Sequence, residues 1–266
     1  MTTPSLSTKQ KQLIDELVDH YLKNLWLYRR FLNALHSQVS DAIDPEKGDP
    51  LARLVHSVKF RLKNPGHLRD KLVRKMLRSI GDGTDFPYNC ENLFVEIGDL
   101  AGYRIMHLHT RQFEALNQNL IKLLEESHRI VEGPRAKTWD EETKSYYESI
   151  GIAAEHNERL YSSVHYLVQP SIKTTITIEI QVRTLADEIW GEIDHKINYP
   201  YPHPALACRE QIKALARVTS SCSRLVDSIM STHHDWEDSQ AKQQNHEPDA
   251  RLVSGDGSPA NSIISE

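Results

Sequence analysis

The stretch TTITIEIQVRT, residues 174–184, alternates with a period of two, so Ile176, Ile178, Ile180 and Val182 share one face of a strand while Thr175, Thr177, Glu179, Gln181 and Arg183 share the other. A carboxylate and a guanidinium on one strand face are either solvated or form the floor of a site, where the acid holds a metal or takes a proton. Three other segments carry comparable groups. Arg61 and Lys63 precede a Pro65-Gly66 turn, and Lys71 and Lys75 follow it. Cations so placed can grip a triphosphate, Arg through paired hydrogen bonds and Lys as a point charge, although a solvated amphipathic helix uses the same residues. Asp99 stands before an apolar strand that contains Arg104, as a metal ligand or as a turn cap. In YSSVH, alternation puts Tyr161, Ser163 and His165 on one face, for binding or for half-buried packing. His107 and His109 also share a parity, but with no third ligand in view they read as packing residues rather than a zinc pair.

The elements that must position these groups follow from the pattern of the chain. Residues 7–39 carry Leu13, Leu17, Tyr21, Leu25, Tyr28 and Leu32 at near-helical spacing, which predicts a long helix with at most one break. Residues 42–50 and 81–90 are loops. Between them, residues 51–80 form a basic helical region interrupted at Asn64, Pro65 and Gly66. A strand is expected at 101–107, a helix at 111–126 and a short strand near 128–131; residues 133–159 are polar and read in part as a mobile loop. Residues 161–169 and 174–182 form two strands joined by a turn at 170–173. Thr184 can cap a helix running through Trp190 and His195, and a final helix covers 206–230. From His233 the composition turns polar and predicts a disordered tail. The corresponding division is a helical region at 1–50, an α+β domain at 51–205, a helix at 206–232 and the tail at 233–266. Helices, then strand, helix, strands and helix predict an α+β fold, with a mixed, mostly antiparallel sheet flanked by helices.

The 266 residues are 39% hydrophobic and carry a net charge of −5. The average hides an island: residues 51–80 contain nine Lys or Arg against one acid, Asp70, giving +8 and leaving −13 for the remainder. A basic patch in an acidic chain suits a confined anionic ligand better than a long polyanion. Cys90, Cys208 and Cys222 are odd in number and lack CxxC spacing, which excludes a disulfide framework or zinc ribbon and indicates a reducing cytoplasm. The N-terminus lacks the apolar core of a signal peptide, and no apolar run approaches the roughly 20 residues of a membrane span.

Taken in order, RLK (61–63), DLAGYRI (99–105), LYSSVH (160–165), EIQVRTLADEIW (179–190) and DHKINY (194–199) resemble the synthetase domain of the RelA/SpoT family, the ppGpp-making pyrophosphokinases. The resemblance covers residues 58–199, and the chain is similar to the small, single-domain synthetases. It implies a nucleotidyltransferase-like fold and transfer of the β,γ-pyrophosphate of ATP to the 3′-hydroxyl of GTP or GDP, with Mg²⁺ as cofactor and AMP released. It implies that Asp99 and Glu179 are catalytic and hold the metal, and that Arg61, Lys63, Lys71, Lys75 and Arg104 bind ATP. Tyr161 would stack on the acceptor base, with Arg159, His165 and Arg183 around it. The long N-terminal helix is the expected route to a homo-oligomer. At the end of the following helix Asp194 and Pro200 replace a usual Glu and Lys, and two departures lie on the acceptor side: Leu160 replaces the family's glycine and Asn157 a common lysine. They leave open an adenine nucleotide or the tRNA 3′ end as acceptor. A non-catalytic nucleotide sensor is the third reading, against which the retention of both Asp99 and Glu179 argues. About 50 residues precede the basic segment, too few for the His-Asp hydrolase domain of long members, and His233-His234-Asp235 reads as solvated. Glu179→Gln should abolish transfer while sparing ATP binding, and unchanged turnover in a label-transfer assay would remove that role from Glu179.

Overall fold

Three strands whose odd and even positions differ in polarity build the centre of the sheet, and their apolar faces are dry: Tyr103, Ile105, Ile178, Ile180, Val182, Val164, Tyr166 and Val168 are all buried. The computed structural model describes residues 6–170, 174–199 and 201–244. In chain order these form α1 (Thr8–Ala42), α2 (Leu51–Leu54), β1 (Ser57–Leu62), α3 (Pro65–Asp82), α4 (Leu93–Glu96), β2 (Ala101–His107), α5 (Phe113–Glu125), β3 (His128–Thr138), α6 (Glu141–Ser149), β4 (Ala153–His156), β5 (Ser163–Pro170), β6 (Ile178–Thr184), α7 (Leu185–Asn198) and α8 (Leu206–Gln244). The sheet order is β1-β2-β6-β5-β3-β4. Pairings β1/β2, β6/β5 and β5/β3 are antiparallel, while β2/β6 and β3/β4 are parallel. This is the α+β architecture the pattern predicts: a mixed, mostly antiparallel sheet flanked by helices.

Helix α1 opens with a capping box, Ser7 and Gln10 each bonding the other's backbone N–H. Its apolar stripe, Ile14, Leu17, Tyr21, Tyr28, Leu32 and Leu35, joins the same core as Leu68 and Leu72 of α3 and the inner face of the sheet. Each fully buried leucine of this kind contributes about 1.5–3 kcal/mol. The stripe that suggested self-association is thus consumed by the chain's own core, and α1 leaves Leu22 and Trp26 exposed instead. Buried tyrosine hydroxyls tie the layers together. Tyr21 donates to the carbonyls of Lys63 and Leu100 (2.9 and 3.1 Å), so α1 fixes the two backbone segments that carry Lys63 and Asp99. Tyr103 of β2 meets His36 of α1 at 3.0 Å, and Tyr166 of β5 donates to Asn117 of α5.

Several expectations are corrected. Residues 57–62 are not helical; they are an edge strand, because Val58 and Leu62 turn to the core while Lys59 and Arg61 face outward, a period of two hidden within a basic run. Residues 133–159, read in part as a mobile loop, complete an eleven-residue β3 and form α6 and β4. The ladder between β3 and β5 shifts register around Glu132, and Gly133 (φ 101) takes up the irregularity, since a Cβ there would fall on the carbonyl of His165. β5 begins at Ser163, so Tyr161 lies ahead of the strand, and β6 begins at Ile178. The turn expected at 170–173 includes residues 171–173, which lie outside the described residues. Helix α8 extends beyond Met230 to Gln244, so residues 233–244, expected to be disordered, are helical; His233, His234 and Asp235 are exposed on it. The rest of the expected tail lies outside the described residues. The chain divides into units of residues 1–226 and 227–266, so the helical region at 1–50 shares its unit with the sheet rather than standing apart. His107 lies within 3.0 Å of the His109 carbonyl and packs on Phe113. Among the described residues no helix is long and apolar enough to cross a membrane.

Thr184 caps α7 as its position predicts, accepting from the Asp187 N–H and donating to the Asp187 carboxylate at 2.6 Å. Burial pushes the Asp187 carboxyl up to about 6, the hydrogen bonds from Thr184 only partly offsetting it. A carboxyl whose folded value is raised binds more protons in the folded than in the unfolded state, so stability falls as pH rises from near the ordinary aspartate value, 3.8, to about 6. Asp187→Asn should therefore denature at a higher temperature than the wild type at pH 8, with the gap closing below pH 4. Melting curves across that range check it.

Candidate active site

Register decides which side chains share the solvent face of the sheet. Arg104 of β2 stands opposite Lys59 of β1 on one side and Gln181 of β6 on the other, and Gln181 stands opposite His165 of β5. Gly102 stands between Arg61 and Glu179. With a two-residue period, Lys59, Arg61, Arg104, Glu179, Gln181, Arg183, Ser163 and His165 fall on one surface. It floors a cleft of about 1080 Å³ walled by α3, α7 and the start of α8.

The floor is a chain of hydrogen bonds. Glu179 Oε1 meets His165 Nδ1 at 2.9 Å and Oε2 accepts from Gln181 at 2.8 Å. His165 Nε2 in turn lies 2.6 Å from Ser163 Oγ, and Arg183 donates to Gln181. Burial disfavours the Glu179 charge and the Asp99 carboxylate adds to the penalty, yet the His165 and Gln181 interactions leave its carboxyl below the usual glutamate range. Arg183 also pairs with Glu188 of α7 at 3.3 Å, and Gly191 on that helix leaves room for its guanidinium, since a Cβ there would approach it within 2.8 Å.

Asp99 sits in the short turn that leads into β2, with Lys63 Nζ 2.7 Å from one oxygen and Lys71 Nζ 2.7 Å from the other. Burial raises its carboxyl, but the two ammonium groups outweigh this and hold it below the ordinary aspartate range. Lys63, more deeply buried, is itself pushed down by desolvation despite its partner. Two carboxylates kept ionised in one cleft, beside lysines that ligand phosphates could displace, form a donor set able to take a hard divalent cation through one or two carboxylates plus phosphate oxygens.

Helix α7 supplies counter-charge that sequence reasoning missed. Glu188 and Glu192 hold Arg104 at 2.9 and 2.6 Å, and Glu192 also pairs with Lys59 at 3.0 Å. Lys75 is not brought to the cleft. On α3, His67, Lys71 and Arg74 follow the i, i+4, i+7 stripe that lines it, whereas Lys75 is rotated about 100° beyond Arg74 and donates to the Tyr88 hydroxyl. Arg74, unselected from sequence, lies 5.7 Å from the Tyr199 ring centroid and has a buried Nη1 with no hydrogen-bond partner among the described residues. His195 stacks on Tyr199 at 4.6 Å and His67 meets the same ring at 4.8 Å, making an aromatic wall beside Arg61. The spacing of 67, 71 and 74 could have signalled this stripe; the stacking across α3 and α7 could not.

At the other end, Arg159 and Tyr161 line the cleft together with Arg135, Lys137, Arg209 and Lys213. The Tyr161 ring lies 6.3 Å from His165 and is stacked 6.4 Å from Trp190. Of the residues singled out from sequence, Asp99, Glu179, Arg61, Lys63, Lys71, Arg104, Arg159, Tyr161, His165 and Arg183 therefore converge on one cavity.

The family model described as the region found in RelA / SpoT proteins matches residues 60–203. GTP pyrophosphokinase YjbM of Bacillus subtilis (strain 168) is 33% identical over 94 residues, which is 33% of this chain and 43% of that protein, so the match spans less than half of the relative. The small alarmone synthetase 1 from Bacillus subtilis, in a crystal structure bound to its product pppGpp, aligns with a TM-score of 0.56 at 20% identity, covering 80% of this chain and 98% of that one. The same protein bound to AMPCPP gives a TM-score of 0.56 at 16% identity, covering 82% and 99%. At these identities the crystal structures attest to a shared fold. The family region takes in more than half of the chain and both ionised carboxylates, and on that extent the chain belongs to the RelA/SpoT family.

Proposed function

We propose that this chain is a pyrophosphokinase that transfers the β,γ-pyrophosphate of ATP to the 3′-hydroxyl of GTP or GDP, making (p)ppGpp and releasing AMP. The observation that carries the reading is the pairing of Asp99, held between Lys63 and Lys71, with Glu179, held by His165 and Gln181, in one cleft. The relatives bound to pppGpp and to AMPCPP support nucleotides as the ligands. Lys63, Lys71, Arg61 and Arg74 line the end of the cleft next to Asp99 and would hold the triphosphate, leaving the carboxylate for metal. Arg104, aligned by Glu188 and Glu192, would sit over the donor nucleotide. Mg²⁺ fits the two carboxylates and, when bound, offsets charge on the phosphates.

In the transfer the 3′-oxygen bonds to the β-phosphorus, the bond from that phosphorus to the α,β-bridging oxygen breaks, and AMP leaves with the electron pair. The hydroxyl proton passes to Glu179. Hydrogen bonds from His165 and Gln181 orient that carboxylate while leaving it further lone pairs for the hydroxyl. Tyr161 would stack on the acceptor base and Arg159 and Arg183 would position its phosphates and ribose. A second reading, with the tRNA 3′ end as acceptor, draws on Arg135, Lys137, Arg159, Arg209 and Lys213, cleft cations that lie outside residues 51–80.

The decisive experiment supplies Mg²⁺ and ATP labelled in the β-phosphate together with GTP, GDP, ATP or deacylated tRNA in separate reactions. Label on a guanine nucleotide with AMP released is the expected result; label on tRNA or an adenine nucleotide would move the acceptor, and no transfer would favour a sensor. Lys71→Ala should raise the KM for ATP about tenfold, as loss of one charged phosphate contact does, with the acceptor KM unmoved. Steady-state kinetics with each substrate varied in turn checks this.

A further inference from the structure

Asn157 and Leu160, the two acceptor-side departures from the family pattern, build one turn. The Asn157 N–H donates to the Thr138 carbonyl at 2.9 Å, anchoring the turn to the end of β3. Its side chain then bridges the turn, accepting from the Arg159 N–H and donating to the Tyr161 carbonyl, both at 3.0 Å. The Leu160 N–H closes back on the Asn157 carbonyl at 3.2 Å. Leu160 itself has φ 61, the only non-glycine residue in the left-handed region among the described residues. A leucine at positive φ is strained by its own Cβ, and such a conformation persists only where the surroundings impose it.

Besides these hydrogen bonds, Leu160 packs on a small apolar cluster separate from the main core. Trp190 of α7 and Ile212 and Ala216 of α8 are buried there, with Trp139, Leu160, Tyr161 and Leu215 packed around them. Trp190 also donates from its indole nitrogen to the Ile212 carbonyl at 3.0 Å, joining α7 to α8 beneath the turn. The half-buried Leu160 thus packs on this cluster and, with its neighbours Arg159 and Tyr161, also borders the cleft. The Tyr161 ring is stacked on Trp190 and lies beside His165, the partner of Glu179.

We infer that Leu160 is a positioning residue for acceptor recognition: its side chain, seated on the Trp190–Ile212–Ala216 cluster, holds the 157–161 turn so that Arg159 and Tyr161 meet the acceptor nucleotide, which makes the start of α8 part of the acceptor site. The inference rests on the pyrophosphokinase reading. It predicts an effect opposite to that of backbone strain alone. Glycine accommodates φ 61 without penalty, so if the backbone were all that mattered, Leu160→Gly would be harmless or beneficial.

The test is steady-state kinetics of Leu160→Gly, Leu160→Met and Ile212→Ala with Mg²⁺, ATP and GDP, each nucleotide varied in turn, beside thermal melts of each variant. Leu160→Gly should raise the KM for GDP about tenfold or more while kcat and the KM for ATP stay within about twofold, the pattern of lost binding contacts at one substrate. Ile212→Ala, which opens the same contact from α8, should move the GDP KM in the same direction, and Leu160→Met, which keeps an apolar anchor, should leave it near the wild-type value. An unchanged GDP KM in Leu160→Gly, or an equal rise for ATP and GDP, overturns the inference while leaving the pyrophosphokinase reading standing. Failure of the wild type to transfer label to any guanine nucleotide overturns that reading first, and this inference with it.

Discussion

The parallel pairing of β2 with β6 is the constraint on which the site depends. It sets Gly102 beside Glu179 and Arg104 beside Gln181, although the partners in each pair are 77 positions apart in the chain. One ladder thus aligns Glu179, Arg104 and Arg183 along a single face, and the short turn that leads into β2 carries Asp99 to its end. The pairing holds because the opposite face is a continuous apolar surface: a one-residue slip of β6 would turn Ile178, Ile180 and Val182 to water and Glu179 into the core. Core packing and active-site register are in this sense one interaction seen from two sides.

Around that floor the protein manages charge by pairing rather than by exposure. Each half-buried acid has identified basic or hydrogen-bonding partners: Asp99 has two lysines, Glu179 has His165 and Gln181, and Glu188 and Glu192 meet Arg104. Ionised groups left alone at such depth would neutralise. The pairs differ in what a ligand would do to them. Lysines on Asp99 can move to phosphate oxygens of comparable charge, whereas the Glu188 and Glu192 contacts belong to a helix capped by Thr184 and packed through Trp190, and they hold Arg104 in place.

The cleft has two ends of different construction. The end near Asp99 is built on α3 and β1, where the cations follow helical and strand spacing and lie close together in sequence. The other end is built on a turn, a bulged β3 and the beginning of α8, elements drawn from residues 133–213. Its geometry rests on Gly133, whose backbone passes close to β5, and on Leu160, whose side chain packs against α7 and α8.

By itself the sequence determined what alternation and helical period can carry. The two faces of β6, the helix cap at Thr184 and the buried strand at 101–107 were legible because each depends on neighbours in the chain, and the ordered motifs of the family resemblance grouped Asp99, Lys63, Lys71, Glu179 and His165. Tertiary structure alone decided which elements lie side by side. Local spacing could not show that residues 57–62 pair with β2, since their basic side chains mask the alternation, or that Lys75 turns to Tyr88 while Arg74 faces the cleft. Nor could it show that much of the polar stretch 133–159 is ordered beside β5, or that α8 packs beside Leu160 and Tyr161 at the cleft, because those contacts join residues far apart in the chain and exist only once the sheet has brought them together.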